Sequence, residues 1–186
     1  MVSLFALWLP IVLSSVIVFL VSFLIHTVFA YHRGDFRSLP DEDGIAAALR
    51  KAQVPPGSFM LPHAGNPSEM RSPEFREKME KGPIAIMTVR AGGKISMSSN
   101  LIQWFLYSIV IGIFSAYVAS RALGADAHYL HVFRFVGFTA FMCYTVAGWQ
   151  DSIWWSRPWS ITLKNTFDGL IYALLTAGVF GWLWPR

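Results

Sequence analysis

Apolar residues in this chain fall into four long runs, separated by polar connections of very unequal length. The first, from Leu4 to Phe29, holds no charged side chain. The second extends from Leu101 to about Ala122, and the third from about Tyr129 to Trp149 with Arg134 inside it. The fourth extends from about Leu163 to Trp184, with Lys164 and Asp168 in its first turns. A membrane-spanning helix needs about 20 predominantly apolar residues, so each run predicts one crossing. The first run lacks the opening Lys or Arg of a secretory signal and exceeds its usual apolar length of about 7–15 residues. It reads as a retained helix, with Pro10 placed to kink it. The expected fold is therefore an all-α membrane protein, a four-transmembrane-helix bundle. Residues 1–30 supply one helix and residues 101–186 the other three, at about 101–122, 129–149 and 163–184.

Residues 31–100 are too long for a simple connector and carry their own punctuation. Asp41 or Asp43 can cap a helix through about Ala52, ended by Pro55-Pro56-Gly57. Ser72-Pro73-Glu74 opens a second helix, and Gly82-Pro83 stops it. Ile84 to Val89 favours a strand, and a turn at Gly92-Gly93 would return Lys94 to Met97 as its hairpin partner. The expectation is a small extramembrane domain of short helices and a β-hairpin. So small a core would lean on the membrane surface or on a partner.

Composition agrees with a lipid environment. The chain is 54% hydrophobic and 14% charged, against roughly 45–50% and about 25% in soluble domains. This excludes a disordered chain. The absence of a long like-charge block removes a nucleic-acid role. A single cysteine, Cys143, excludes an internal disulfide and any multi-thiolate metal site.

An even number of crossings puts both termini on one side. Trp8, Trp182 and Trp184 fall at one predicted interface, and Trp104, Trp149, Trp154, Trp155 and Trp159 at the other, where indole rings are favoured. Arg33, Arg37, Arg90, Lys94, Arg157 and Lys164 flank the long-loop face, against Arg121, Arg134 and Arg186 opposite. The positive-inside tendency then predicts the 31–100 and 150–162 loops in the cytoplasm and both termini on the opposite side.

Helices in lipid associate through small residues. The second run has Ser108, Gly112, Ala116 and Ser120, each four apart; the fourth has Gly169, Ala173, Ala177 and Gly181. Such ridges serve either contact within the bundle or docking of another subunit, and spacing does not separate the two.

Three places hold groups that can do chemistry. At the loop-side end of the bundle, His26, His32, Gln103, Asp151, Arg157, Lys164 and Asp168 would converge into one polar pocket if the bundle closes. Gln150 would join them from the loop. Such a pocket suits an anionic headgroup, a proton relay or a small substrate; an interfacial salt-bridge network is the plainer reading. At the far end, Asp126, His128, His131 and Arg134 form an outer polar group. There the two histidines, three apart on a helix, suit either a surface metal or a helix cap. Arg134 lies near enough to the end to snorkel. In the loop, Met60, His63 and Met70 are soft enough for copper(I), although methionine also fills small apolar cores. A haem between two histidines would need them on facing helices at one depth, whereas these histidines occupy opposite ends of the bundle. No cofactor and no metal are expected. The chain contains no GxSxG, HExxH or GxxxxGK[ST] motif.

Tyr31-His32-Arg33, Leu39-Pro40-Asp41-Glu42, Pro62-His63-Ala64-Gly65, Arg157-Pro158-Trp159-Ser160 and Lys164-Asn165-Thr166-Phe167-Asp168-Gly169 resemble stretches of an uncharacterised bacterial family of small multi-pass inner-membrane proteins. The resemblance implies a bacterial inner-membrane setting, which with the charge bias makes the 31–100 loop cytoplasmic and both termini periplasmic, and brings no activity or ligand. Two functions follow as expectations. One is an accessory or interaction subunit of a larger membrane complex, with the bilayer and a membrane-protein partner or a second copy as its surroundings. The other is a small transporter or membrane enzyme working through the His26, Lys164 and Asp168 region.

Overall fold

In the computed structural model, which describes residues 2–93 and 96–186, the chain is 69% helical with one small antiparallel sheet. It divides into two compact units, Met1–Phe36 with Ser96–Arg186, and Arg37–Ile95.

The smaller unit follows its punctuation closely. Helix α2 (Glu42–Lys51) opens where Asp41 accepts from the Gly44 amide at 3.0 Å. A short helix α3 (Pro67–Met70) is capped by Asn66, which accepts from the Glu69 amide at 2.8 Å. Helix α4 (Pro73–Lys81) is capped by Ser72 at 3.1 Å from the Phe75 amide, and ends on Gly82 at φ +61°, a conformation glycine adopts without steric cost. The sheet departs from expectation. Strand β2 (Ala85–Val89) pairs antiparallel with β1 (Gly57–Leu61), from Gly57 opposite Val89 to Leu61 opposite Ala85. The expected return strand does not form at Met97, which opens the next helix, while Lys94 and Ile95 lie outside the described residues. A strand with a free edge takes whichever edge the tertiary structure brings beside it, and here that edge comes from upstream.

The larger unit holds four long helices: α1 (Trp8–Thr27), α5 (Met97–Ala122), α6 (Tyr129–Thr145) and α8 (Trp159–Trp182). The segments Leu4–Thr27, Met97–Ala122 and Tyr129–Trp154 are long and apolar enough to cross a membrane. A 3₁₀ turn over Leu4–Leu7 precedes α1. Pro10 sits in the first turn of α1, where the leading amides have no intrahelical acceptor, so it breaks no bond of that helix. The third apolar run is not one helix: α6 stops at Thr145, and a 3₁₀ turn and helix α7 (Trp149–Trp154) follow.

Packing is antiparallel around the ring α1–α5–α6–α8. Ile11 on α1 lies beside Gly112, and Trp104 near the start of α5 donates to the Ser22 hydroxyl near the end of α1 at 2.9 Å. Tyr107 on α5 donates to the Cys143 carbonyl on α6 at 3.0 Å. Both small-residue ridges face inward. Ser108, Ala116 and Ser120 are buried, and a Cβ at Gly112 would meet Ile11 Cγ2 at 3.2 Å. Ala173 and Ala177 are buried on α8, with Gly169 against Thr145 and Gly181 against the Tyr129 ring. Small side chains let the helix backbones approach and form the dispersion contacts that hold helices together in lipid. Phe23, Phe114, Phe138 and Phe167 face outward, each more than half exposed.

Two tryptophans take part in the packing. Trp184 is 5% exposed and donates to the Gly124 carbonyl at 2.9 Å, tying the chain's end to the α5–α6 connection. Trp104 is half-buried among Tyr107, Tyr144 and Tyr172.

Candidate functional site

At the loop-side end of the larger unit, the last turn of α1 and the segment after it meet the first turns of α8. The 3₁₀ turn Ala30–His32 brings Tyr31 and His32 back toward the bundle. Asp168, one residue before the close-packed Gly169, is 3% exposed. One of its oxygens accepts from the Tyr31 hydroxyl, and the other meets His32 Nε2 at 2.8 Å. His32 Nδ1 meets Asp35 Oδ2 at 2.6 Å. The Lys164 ammonium donates to the other Asp35 oxygen at 2.6 Å and to the Tyr31 carbonyl at 2.7 Å. His26 stacks on His32, ring centroids 4.8 Å apart and planes 6° from parallel, and its Nδ1 donates to the Ser22 carbonyl at 2.9 Å.

The network is a chain of alternating donors and acceptors: Tyr31, Asp168, His32, Asp35, Lys164. Carboxylates accept only, so with both ionised each ring nitrogen of His32 must donate. Each carboxylate thus faces a nitrogen partner, Asp35 the Lys164 ammonium and the His32 ring, Asp168 the other side of that ring, which is how such groups are tolerated away from water. Burial acts to raise the Asp35 carboxyl. The hydrogen bonds from Lys164 and His32, reinforced by their charges, outweigh it and hold the group below its ordinary value. Burial, then the bond to Asp168 and its negative charge, push the Tyr31 hydroxyl well above the ordinary phenol range.

Of the seven residues expected in this pocket, four converge: His26, His32, Lys164 and Asp168. Three do not join the network. Gln103 donates to Ser99 on its own helix at 3.1 Å. Asp151 and Arg157 pair with each other at 3.4 Å, closing the loop before α8. Tyr31 and Asp35 complete the network and escape a sequence reading. Neither lies in an apolar run, and the turn that aims them is set by tertiary contact. The signal was present only as the short spacing of Tyr31, His32 and Asp35 after a helix end.

The outer polar group does not assemble into a comparable site. His128 caps α6, its Nδ1 accepting from the Leu130 amide at 3.2 Å, and its ring is edge-on to His131 at 6.3 Å. The Asp126 amide donates to the Pro185 carbonyl at 3.2 Å. Arg134 is exposed on α6 and takes part in none of the ion pairs found among the described residues. It borders a shallow apolar groove with Phe135, Phe138 and Met142.

No family model, curated protein or solved structure matches the chain.

Proposed function

We propose that this is a four-pass integral membrane protein that works, as a small transporter or membrane enzyme, through the polar network at the loop-side end of its helices. The observation that carries the reading is Asp168: a carboxylate 3% exposed inside an apolar helical unit, held by Tyr31 and His32. Ionisable groups at membrane depth are costly and mark functional sites by default.

The fourth crossing is supported by end-to-end matching of α8 with α6. Gly169 lies beside Thr145 near one end of the pair, and Gly181 beside Tyr129 near the other. A 24-residue helix spans about 36 Å, longer than the roughly 30 Å hydrocarbon layer. Its hydropathy is lowered by Lys164, Asn165 and Asp168 near its start, and two of these are hydrogen-bonded within the network. Four crossings put both termini on one face, and the Lys/Arg distribution favours the periplasmic face of a bacterial inner membrane. Single cysteines placed at Arg186 and at Glu77, in a Cys143→Ala background, are expected to label from opposite sides of sealed membranes. Labelling of both from the same side would remove the fourth crossing.

An accessory or interaction subunit of a larger membrane complex is the second reading, supported by the four apolar runs, the Trp-rich loop before the fourth and the lack of a catalytic motif; the chain's own helices occupy its small-residue ridges. Asp168→Asn tests the site. Asparagine can accept from Tyr31 and donate to a singly protonated His32, so the fold survives while the charge is lost. In the source cell, this variant is expected to reach the membrane at the normal level yet reproduce the element and metabolite profile of a gene deletion. A profile indistinguishable from wild type would overturn the reading.

A further inference from the structure

We infer that His26, His32 and Asp168 form a binding site for a divalent first-row transition-metal ion, a proposal that rests on this network being the working part of the molecule. One ligand atom from each of the three residues lies within 4.8 Å of the others. No other group of three or more His, Cys, Asp or Glu side chains among the described residues is so placed.

Hydrogen bonds orient His32 and Asp168 as an outer shell orients metal ligands, and fix the tautomer of His26. The Ser22 carbonyl can only accept, so His26 carries its hydrogen on Nδ1 and keeps the Nε2 lone pair. His32 Nδ1 faces Asp35 at 2.6 Å, which turns its Nε2 toward Asp168 at 2.8 Å. A histidine whose Nδ1 hydrogen is held by a carbonyl or a carboxylate while Nε2 binds the metal is the usual outer-shell pattern. The outer shell here is built in depth. Asp35 is itself held by Lys164 at 2.6 Å, and the Asp168 oxygen that does not meet His32 takes the Tyr31 hydroxyl. Lys164 donates to Asp35 and to a backbone carbonyl, leaving both Asp168 oxygens to Tyr31 and His32.

Geometry allows closure. Metal–ligand bonds of about 2.0–2.2 Å in a tetrahedron put donor atoms ~3.3 Å apart. The His32–Asp168 pair opens by about half an ångström from its metal-free contact to reach that spacing. His26 is exposed at the end of α1, and closure turns its ring out of the parallel stack on His32 to aim Nε2 at the ion. Two imidazoles and a carboxylate, with no thiolate, suit zinc or ferrous iron rather than a soft copper(I) site. Three protein ligands leave one position open, as in sites where the ion acts on a substrate.

The test uses the full chain in mild detergent, stripped with a chelator and titrated with Zn²⁺ and, separately, Co²⁺. The expected result is one equivalent bound and a visible ligand-field spectrum for Co²⁺. His26→Ala is expected to weaken binding by more than about 100-fold and abolish the spectrum, and Asp35→Asn to weaken it about 10–100-fold. His128→Ala should bind like wild type. Because His26 is exposed, its replacement leaves the fold intact, which an unchanged melting temperature of the metal-free variant confirms. Zinc bound equally by wild type and His26→Ala, or bound by neither, would overturn the site. Zinc binds N/O donor sets more tightly than iron or manganese do, so a negative result with zinc excludes those ions too. If Asp168→Asn cells show the deletion profile but the purified protein takes up no zinc, the metal falls and the polar site stands. If the protein binds zinc through His26 but Asp168→Asn cells are normal, the metal site stands and the functional reading falls.

Discussion

Asp168→Ala is expected to be the most damaging single change to the larger unit, costing about 3–5 kcal/mol, the range found when one partner of a buried ionic pair is removed. Alanine strips the acceptor from both the Tyr31 hydroxyl and His32 Nε2. It thereby leaves the half-buried His32 ring and the Tyr31 hydroxyl without their acceptor on α8. His32 would retain Asp35, but the segment Tyr31–Asp35 would lose its anchor on α8. Denaturant unfolding in detergent should show the loss as a lowered midpoint, together with greater protease sensitivity around residues 30–36. Asp168→Asn should lose about 1 kcal/mol, the net worth of a hydrogen bond, because it can still satisfy both neighbours. A small, equal effect of alanine and asparagine would mean that Asp168 contributes nothing through its partners.

The second large effect is expected one residue later. In an isolated helix Gly169→Ala would be favourable by about 1 kcal/mol. Here an added Cβ would sit 2.3 Å from Thr145 Cγ2 and 3.2 Å from Tyr144 Cβ. Thr145 cannot turn aside without loss, since it is 4% exposed and its hydroxyl donates to the Phe141 carbonyl at 2.7 Å. The α6–α8 contact must then open. We expect a net destabilisation of about 1–3 kcal/mol, the usual cost of overpacking, seen as a lower unfolding midpoint. Thr145→Ser removes the clashing methyl group while keeping the hydroxyl, and should restore most of the loss. A Gly169→Ala protein as stable as wild type would show that the two helices are not in contact there.

These two neighbours also show where the sequence was informative. The ridge Gly169, Ala173, Ala177, Gly181 is visible as spacing, because a helix puts every fourth residue on one face. What the spacing leaves open is the partner, and the structure assigns α6. The caps at Asp41 and Ser72 were legible for the same kind of reason: a side chain bonding an amide three residues on is local chemistry. The partner of strand β2 was not local. A strand's edge bonds to any strand of suitable register, and sequence proximity pointed to Lys94–Met97 while the fold supplied Gly57–Leu61.

The polar site divides in the same way. Hydropathy and helix direction alone place His26, His32, Lys164 and Asp168 at one end of the bundle, since position along an apolar run fixes depth. The reach of Gln103, Asp151 and Arg157 was overestimated, because depth says nothing of rotation about the helix axis or of a loop's path. Tyr31 lies in the 3₁₀ turn Ala30–His32 and Asp35 three residues beyond it, in a segment whose direction is decided by what it docks on.

By itself, then, the sequence determined which segments are long and apolar and which polar groups lie near their ends. Each of these follows from side-chain hydropathy summed along a helix. Only the tertiary structure decided which groups touch. Contact between residues more than a hundred positions apart, such as His32 with Asp168, depends on helix rotation and on packing at atomic contact distances. No one-dimensional pattern carries that information.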